Sequence, residues 1–199
     1  LLAERRYQNA LVRFVENHDE PRAAAAFGAG RTQAAAVAAL TQTGARLIHH
    51  GQLSGRRVRL PVFLGRFPAE PVDDQLAEFY RRLLAAVADP TFRDGHWQTC
   101  ERSGWPGNNS FENLVAWSWD GAARWLIVVN LSDVPATGRV KAAWPDLRGH
   151  RWQLTDPTRD MSFDRAGDDL VDGLFVGLGA WQWHLLRLDL EGSSEWPET

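Results

Sequence analysis

A strand–helix–strand–helix order in the N-terminal part of the chain limits the fold more than any other feature of the sequence. Leu11–Glu16 is an apolar, β-compatible run broken only by Arg13, and it ends in the polar cluster Asn17-His18-Asp19-Glu20 before Pro21. A helix is expected over Thr32–Thr43, where Ala34, Val37 and Leu40 recur at every third residue, with Thr32 as N-cap and Gly44 as stop signal. Leu47-Ile48-His49-His50 then reads as a short buried strand closed by Gly51. After an Arg-, Gly- and Pro-rich loop from Gln52 to Val72, Asp73 opens a second helix. Its residues Leu76, Phe79, Tyr80, Leu83, Leu84 and Val87 form one apolar stripe, and Asp89-Pro90 ends it. Such an order specifies a parallel sheet or barrel. Two strand–helix units cannot close an eight-stranded barrel, so this region is expected to be the end of something larger.

The pattern changes near residue 92. Short Trp-, Val- and Leu-rich runs follow, separated by turn residues: Leu114–Trp119, Arg124–Asn130, Gly138–Ala143, Arg151–Thr155, Asp169–Asp172, Leu174–Gly177 and Trp181–Leu188. Asp120-Gly121 and Asp172-Gly173 are hairpin signals, and short strands at this spacing indicate an antiparallel sandwich. The expected organisation is therefore α/β over residues 1–92, all-β over 93–190, and a polar tail over 191–199.

Composition narrows the function. A net charge of -3 gives no electrostatic reason to expect nucleic acid or an anionic membrane as partner. No apolar run approaches the roughly 18 residues that span a bilayer. The single cysteine, Cys100, permits no intrachain disulfide, so the chain needs no oxidising compartment and a cytoplasmic address is favoured. Cys100 is expected to be a small buried hydrophobe rather than a nucleophile. Asn108-Asn109-Ser110 and Asn130-Leu131-Ser132 match the glycosylation pattern, a match short enough to arise by chance.

The chemistry-bearing segment is Phe14-Val15-Glu16-Asn17-His18-Asp19-Glu20-Pro21-Arg22. A strand that delivers Asn, His and Asp at its C-terminal end puts them where barrel enzymes assemble their sites. Asp19 there can hold sugar hydroxyls and His18 can donate to one. A bland reading competes: Asn17 and Asp19 as turn formers or caps, with Arg22 pairing to Asp19 or Glu20.

Phe14-x-x-Asn17-His18-Asp19 with Arg22 resembles the last sequence block of the α-amylase family, retaining glycosidases built on a (β/α)8 barrel. The resemblance implies the last portion of that TIM barrel followed by a C-terminal β-sandwich. It implies Asp19 as the third catalytic carboxylate, a transition-state stabiliser that does not attack. It also implies His18, Asn17 and Arg22 as substrate-binding residues, and an α-glucan or maltooligosaccharide as substrate. Many members bind calcium through earlier segments, so no cofactor or calcium ligand is expected here. Two features depart from the family pattern: His49-His50-Gly51-Gln52-Leu53, where aromatic residues and Gly-Gln-Glu are usual, and the basic loop Arg56-Arg57-Val58-Arg59-Leu60-Pro61. His49 and His50, adjacent on a strand, would point to opposite faces and form no metal pair.

The nucleophile and acid/base carboxylates of such enzymes lie about 5–5.5 Å apart across the glycosidic bond. The family takes them from earlier strands, so this chain alone is expected to be inactive. A quarter-barrel would also expose sheet edges and apolar helix faces, which favours association. Two other readings remain. One is transglycosylation by the same carboxylates. The other is a non-catalytic carbohydrate-binding module that stacks sugars on Trp97, Trp105, Trp117, Trp119 and Trp125, in a chain with ten Trp.

Overall fold

The computed structural model describes residues 3–61, 63, 66 and 68–190; the expected polar tail lies outside the described residues. The chain divides into two compact units, Leu1–Ala88 and Asp89–Thr199.

The first unit begins with α1 (Arg5–Asn9) and a very short strand, β1 (Val12–Arg13). Two helices follow, α2 (Ala23–Ala26) and α3 (Ala29–Leu40), then β2 (Ala45–Arg46) and the long helix α4 (Asp74–Val87). β1 and β2 pair in parallel, Val12 opposite Ala45 and Arg13 opposite Arg46, as a strand–helix–strand crossover requires. The apolar runs around them reach further than the ladder. Leu47 and Ile48, expected to be buried in a strand, are exposed and follow β2 instead of forming it. Among the described residues the ladder has two strands, and Leu47 and Ile48 remain 39% and 37% exposed beside it.

Helix α3 starts earlier than the Thr32 cap signal suggested. Gly28 precedes it at φ +75°, while Thr32 is buried and its hydroxyl donates to the Ala23 carbonyl at 3.1 Å. The stripe on α4 packs as its period demands: Leu76, Phe79, Tyr80, Leu83 and Val87 are buried, and Asp73 caps the helix by accepting from the Leu76 amide at 3.0 Å.

The second unit opens with α5 (Thr91–Asp94) and is otherwise nearly all antiparallel. Its strands are β3 (His96–Thr99), β4 (Arg102–Ser103), β5 (Leu114–Asp120), β6 (Arg124–Asn130), β7 (Ala136–Val140), β8 (Arg151–Asp156) and β9 (Met161–Ala166). Helix α6 (Gly167–Gly173), β10 (Leu174–Leu178) and β11 (Trp183–Leu190) complete it. One sheet runs β3-β5-β6-β11-β8-β9 and the other β10-β7-β4. The hairpin signalled by Asp120-Gly121 joins β5 to β6, from Leu114 opposite Asn130 to Asp120 opposite Arg124.

Inward residues of both sheets, Leu114, Ala116, Leu126, Val128, Leu154 and Leu186 on one and Ala136, Val140, Leu174, Val176 and Leu178 on the other, share one core. Cys100 belongs to it, and burial pushes its thiol up to about 11, which makes it inert at neutral pH. The expected strand Asp169–Asp172 is instead part of α6. Asp168 and Asp169 sit in its first turn, where the helix dipole favours acids, and Leu170 is buried in the core. Its first residue must be glycine, because a Cβ on Gly167 would lie 1.6 Å from the Leu147 carbonyl oxygen.

Candidate functional site

The segment after β1 turns back on itself through its own side chains. Asn17 Oδ1 accepts from the Asp19 amide at 2.8 Å and the Glu20 amide at 3.0 Å, an Asx-type turn that holds the backbone of the motif. The side chains of His18 and Asp19 are then left in the open, 64% and 72% exposed, with His18 Nε2 3.3 Å from Asp19 Oδ2. Both lie beyond the C-terminal end of a strand in a parallel ladder, the end at which such sheets present their chemistry.

Beneath this exposed pair the segment is anchored by charge. Glu16 is 1% and Arg22 2% exposed, and Arg22 Nη1 lies 2.8 Å from Glu16 Oε1. Glu16 Oε2 accepts from the Ala23 amide at 2.6 Å, at the start of α2. The same guanidinium donates to His49 Nδ1 and, through Nη2, to the His50 carbonyl at 2.8 Å. Glu16 Oε1 is also 3.5 Å from His49 Nδ1. Gly51 follows at φ +86°, and a Cβ there would lie 2.5 Å from Arg22 Nη2, so this corner admits no larger residue without displacing the guanidinium.

Support continues inward. Gln52, buried, accepts from the His49 amide at 3.2 Å and donates to the Tyr80 hydroxyl on α4 at 2.9 Å. Desolvation pushes the Tyr80 phenol up to about 12, so it stays protonated. On the outer side the basic loop reaches the motif: Arg59 Nε donates to the His18 carbonyl at 3.4 Å, and Glu70 accepts from the Arg57 and Val58 amides at 2.7 and 3.2 Å.

Of the four candidate residues, the structure brings His18 and Asp19 together at the surface. Asn17 is half-buried with its carboxamide oxygen used by the turn, and Arg22 faces inward. The partner of Arg22 is Glu16, not Asp19 or Glu20. His49 and His50 follow β2 outside any strand, and His49 serves as an acceptor for Arg22. Gln52 and Tyr80 were not singled out for the site from sequence, and Glu16 was read as part of the motif segment without a role of its own. Glu16 carried a signal, as the one acid within the apolar strand run; Tyr80 carried none beyond its place in a core stripe.

Among the described residues no group of three or more His, Cys, Asp or Glu side chains could hold a metal ion, and no helix is long and apolar enough to cross a membrane. The tryptophans proposed as sugar platforms are mostly packing: Trp97, Trp117, Trp119 and Trp125 are buried, while Trp105 is exposed beside Phe175. Asn130 is fully buried and its amide nitrogen donates to the Val134, Leu178 and Gly179 carbonyls, which removes it as a glycosylation acceptor in the folded chain.

No family model matches the chain, and no curated protein matches it in sequence. Solved structures do match. A maltogenic α-amylase from Thermotoga neapolitana superposes with a TM-score of 0.68 at 18% identity, over 88% of this chain and 40% of its own. An Anoxybacillus α-amylase gives 0.69 at 14%, over 90% and 38%, and a Nostoc punctiforme debranching enzyme 0.61 at 19%, over 90% and 34%. The chain thus spans two fifths or less of the length of these structures. At such low identity the likeness speaks for fold, and the fold is that of α-amylases over the end of their (β/α)8 barrel and the β-sandwich that follows it.

Proposed function

We propose that this chain is the C-terminal part of a retaining α-glycosidase of the α-amylase family, acting on α-glucans or maltooligosaccharides. The observation that carries the reading is the exposed His18–Asp19 pair at the C-terminal end of a parallel strand, in a fold shared with α-amylases. His18 donates to a hydroxyl of the sugar beside the scissile bond. Asp19 holds ring hydroxyls and, as a carboxylate, stabilises the positive charge that develops on the ring in an oxocarbenium-like transition state. It makes no bond to carbon. The nucleophile and the acid/base are assigned to other segments of the enzyme, because Glu16, the nearest buried acid, is committed to Arg22 and the Ala23 amide. The solved neighbours include a maltogenic α-amylase, a debranching enzyme and a trehalose-6-phosphate hydrolase, so substrate linkage is open to test within this reading.

The test is hydrolysis of a maltooligosaccharide panel by the chain as it stands and by the chain extended upstream to a closed barrel. Activity is expected in the extended protein only, and Asp19→Asn should lower its kcat roughly 100- to 1,000-fold, the scale for loss of one transition-state contact. Turnover by the short chain, or an extended enzyme indifferent to Asp19→Asn, would overturn the assignment.

A further inference from the structure

We infer that Glu16 and Arg22, closed over by His49, form a buried clamp that positions His18 and Asp19 for the sugar; the inference rests on the function proposed above. The clamp grips the motif at both ends. Glu16 immediately precedes Asn17, and its carboxylate reaches across to Arg22 at 2.8 Å and to the Ala23 amide at 2.6 Å. The stretch Asn17–Arg22 is thereby closed into a loop at its base, while Asn17 fixes the turn at its tip. Arg22 also donates to His49 and to the His50 carbonyl, so the loop is fastened to the segment that follows β2.

This arrangement differs from ordinary core packing. Both charged groups are almost wholly withdrawn from water, which costs more than an apolar pair of the same volume would. An apolar pair would fill the space but fix no angle. A planar guanidinium shared among a carboxylate, an imidazole and a carbonyl fixes the loop in direction as well as position. Among the described residues the Asp19 carboxylate meets only the His18 ring, at 3.3 Å, so its orientation depends on the backbone that the clamp holds. Glu16, Arg22 and His49 are therefore positioning residues, and none of them needs to meet substrate.

The experiment compares Arg22→Lys, His49→Ala and the paired charge-free variant Glu16→Met/Arg22→Met in the enzyme extended to a closed barrel, reading kcat, KM and melting temperature together. Arg22→Lys keeps the charge and loses the fork. It is expected to lower kcat about 100-fold, the scale of an ångström-level misplacement, with KM within about threefold. The paired variant is expected to melt close to the parent enzyme and still show the low kcat, a separation that a purely structural role would not give. His49→Ala, at a half-buried position and so less disruptive than a change in the buried pair, is expected to lower kcat about 10-fold and keeps the test decisive where a variant in that pair fails to fold. Full kcat in the paired variant or in a folded His49→Ala overturns the clamp. If Asp19→Asn is inactive while these variants keep full kcat, the clamp alone fails; if Asp19→Asn is fully active, the functional reading fails with it.

Discussion

From Asp89 onward each strand finds a hydrogen-bonding neighbour and the two sheets bury their inner faces on one core, whereas the residues up to Ala88 pair two short strands and leave Val12, Phe14, Leu47 and Ile48 exposed. The difference follows from how each kind of sheet is completed. Antiparallel hairpins recruit partners from a few residues away, as β5 and β6 do. Parallel strands are apolar on both faces because they are built to be covered on both, and their partners come from distant parts of a chain. Stability should therefore reside in the unit beginning at Asp89, and the chemistry in the unit ending at Ala88.

The largest predicted effect tests where stability resides. Leu126 is fully buried on β6, a central strand, within the shared core. Leu126→Ala should cost about 2–5 kcal/mol in urea unfolding of the chain. Leu47→Ala, at an exposed position beside the parallel ladder, should cost about 1 kcal/mol or less. Equal losses at the two sites would break the comparison.

The next effect belongs to the sandwich unit alone and depends on pH. Asp156 is fully buried and accepts from the Thr158 amide at 3.0 Å, the Thr158 hydroxyl at 2.6 Å and the Leu185 amide at 3.0 Å. His184 Nδ1 lies 3.9 Å from its Oδ2. Desolvation, helped by the charges of Arg159 and Arg165, pushes the imidazole down from 6.5 to about 4, and desolvation raises the Asp156 carboxyl. A histidine with a lowered folded pKa binds its proton first in the unfolded chain. Its contribution is therefore complete above pH 6.5 and lost as pH falls toward 4, by at most about 3 kcal/mol. Asp156 acts in the opposite sense, since the folded chain takes up its proton first on acidification. Urea unfolding from pH 7 to 4.5 should show His184→Gln losing less stability than the parent over this window. Parallel pH profiles would reject the assignment.

Legibility in the sequence divides along similar lines. The stripe on α4 and the β5–β6 hairpin were readable because their signals are local: one apolar face at helical spacing, one turn between apolar runs. β3, β4 and β9 were missed, since His96–Thr99, Arg102–Ser103 and Met161–Ala166 are mixed polar runs that their neighbours recruit. Asp169–Asp172 was misread because Leu170-Val171 is too short to show a period, and burial of Leu170 beside an acidic first turn favours the helix. At the site, Asn17-His18-Asp19 stood out as a group. The partner of Arg22 did not, because Glu16, Asp19 and Glu20 are all near it in sequence. Which acid faces inward with Arg22 is fixed by tertiary packing around Gly51 and His49, and no local pattern records that.

The smallest effect sharpens the comparison from the side of the first unit. Asp73 Oδ1 caps α4 through the Leu76 amide, and Tyr80 on that helix supports Gln52 beneath the His18–Asp19 segment. Asp73→Ala removes the cap acceptor and the acid favoured at a helix N-terminus, at a cost of about 1 kcal/mol. Asp73→Asn keeps an acceptor of the same reach and should recover most of that loss, which separates the hydrogen bond from the charge. The Asp73 amide donates to the Ser54 carbonyl at 3.1 Å through a backbone group that neither substitution removes, so the loop end should stay tied and the change be confined to the helix. In amide exchange, Asp73→Ala should therefore lower protection along α4 while the β6 amides keep theirs, because the core that buries Leu126 and Val128 of that strand is built from residues of the second unit. Loss of protection at both places would mean that the two units unfold as one, and the division of stability and chemistry drawn between them would have to be abandoned.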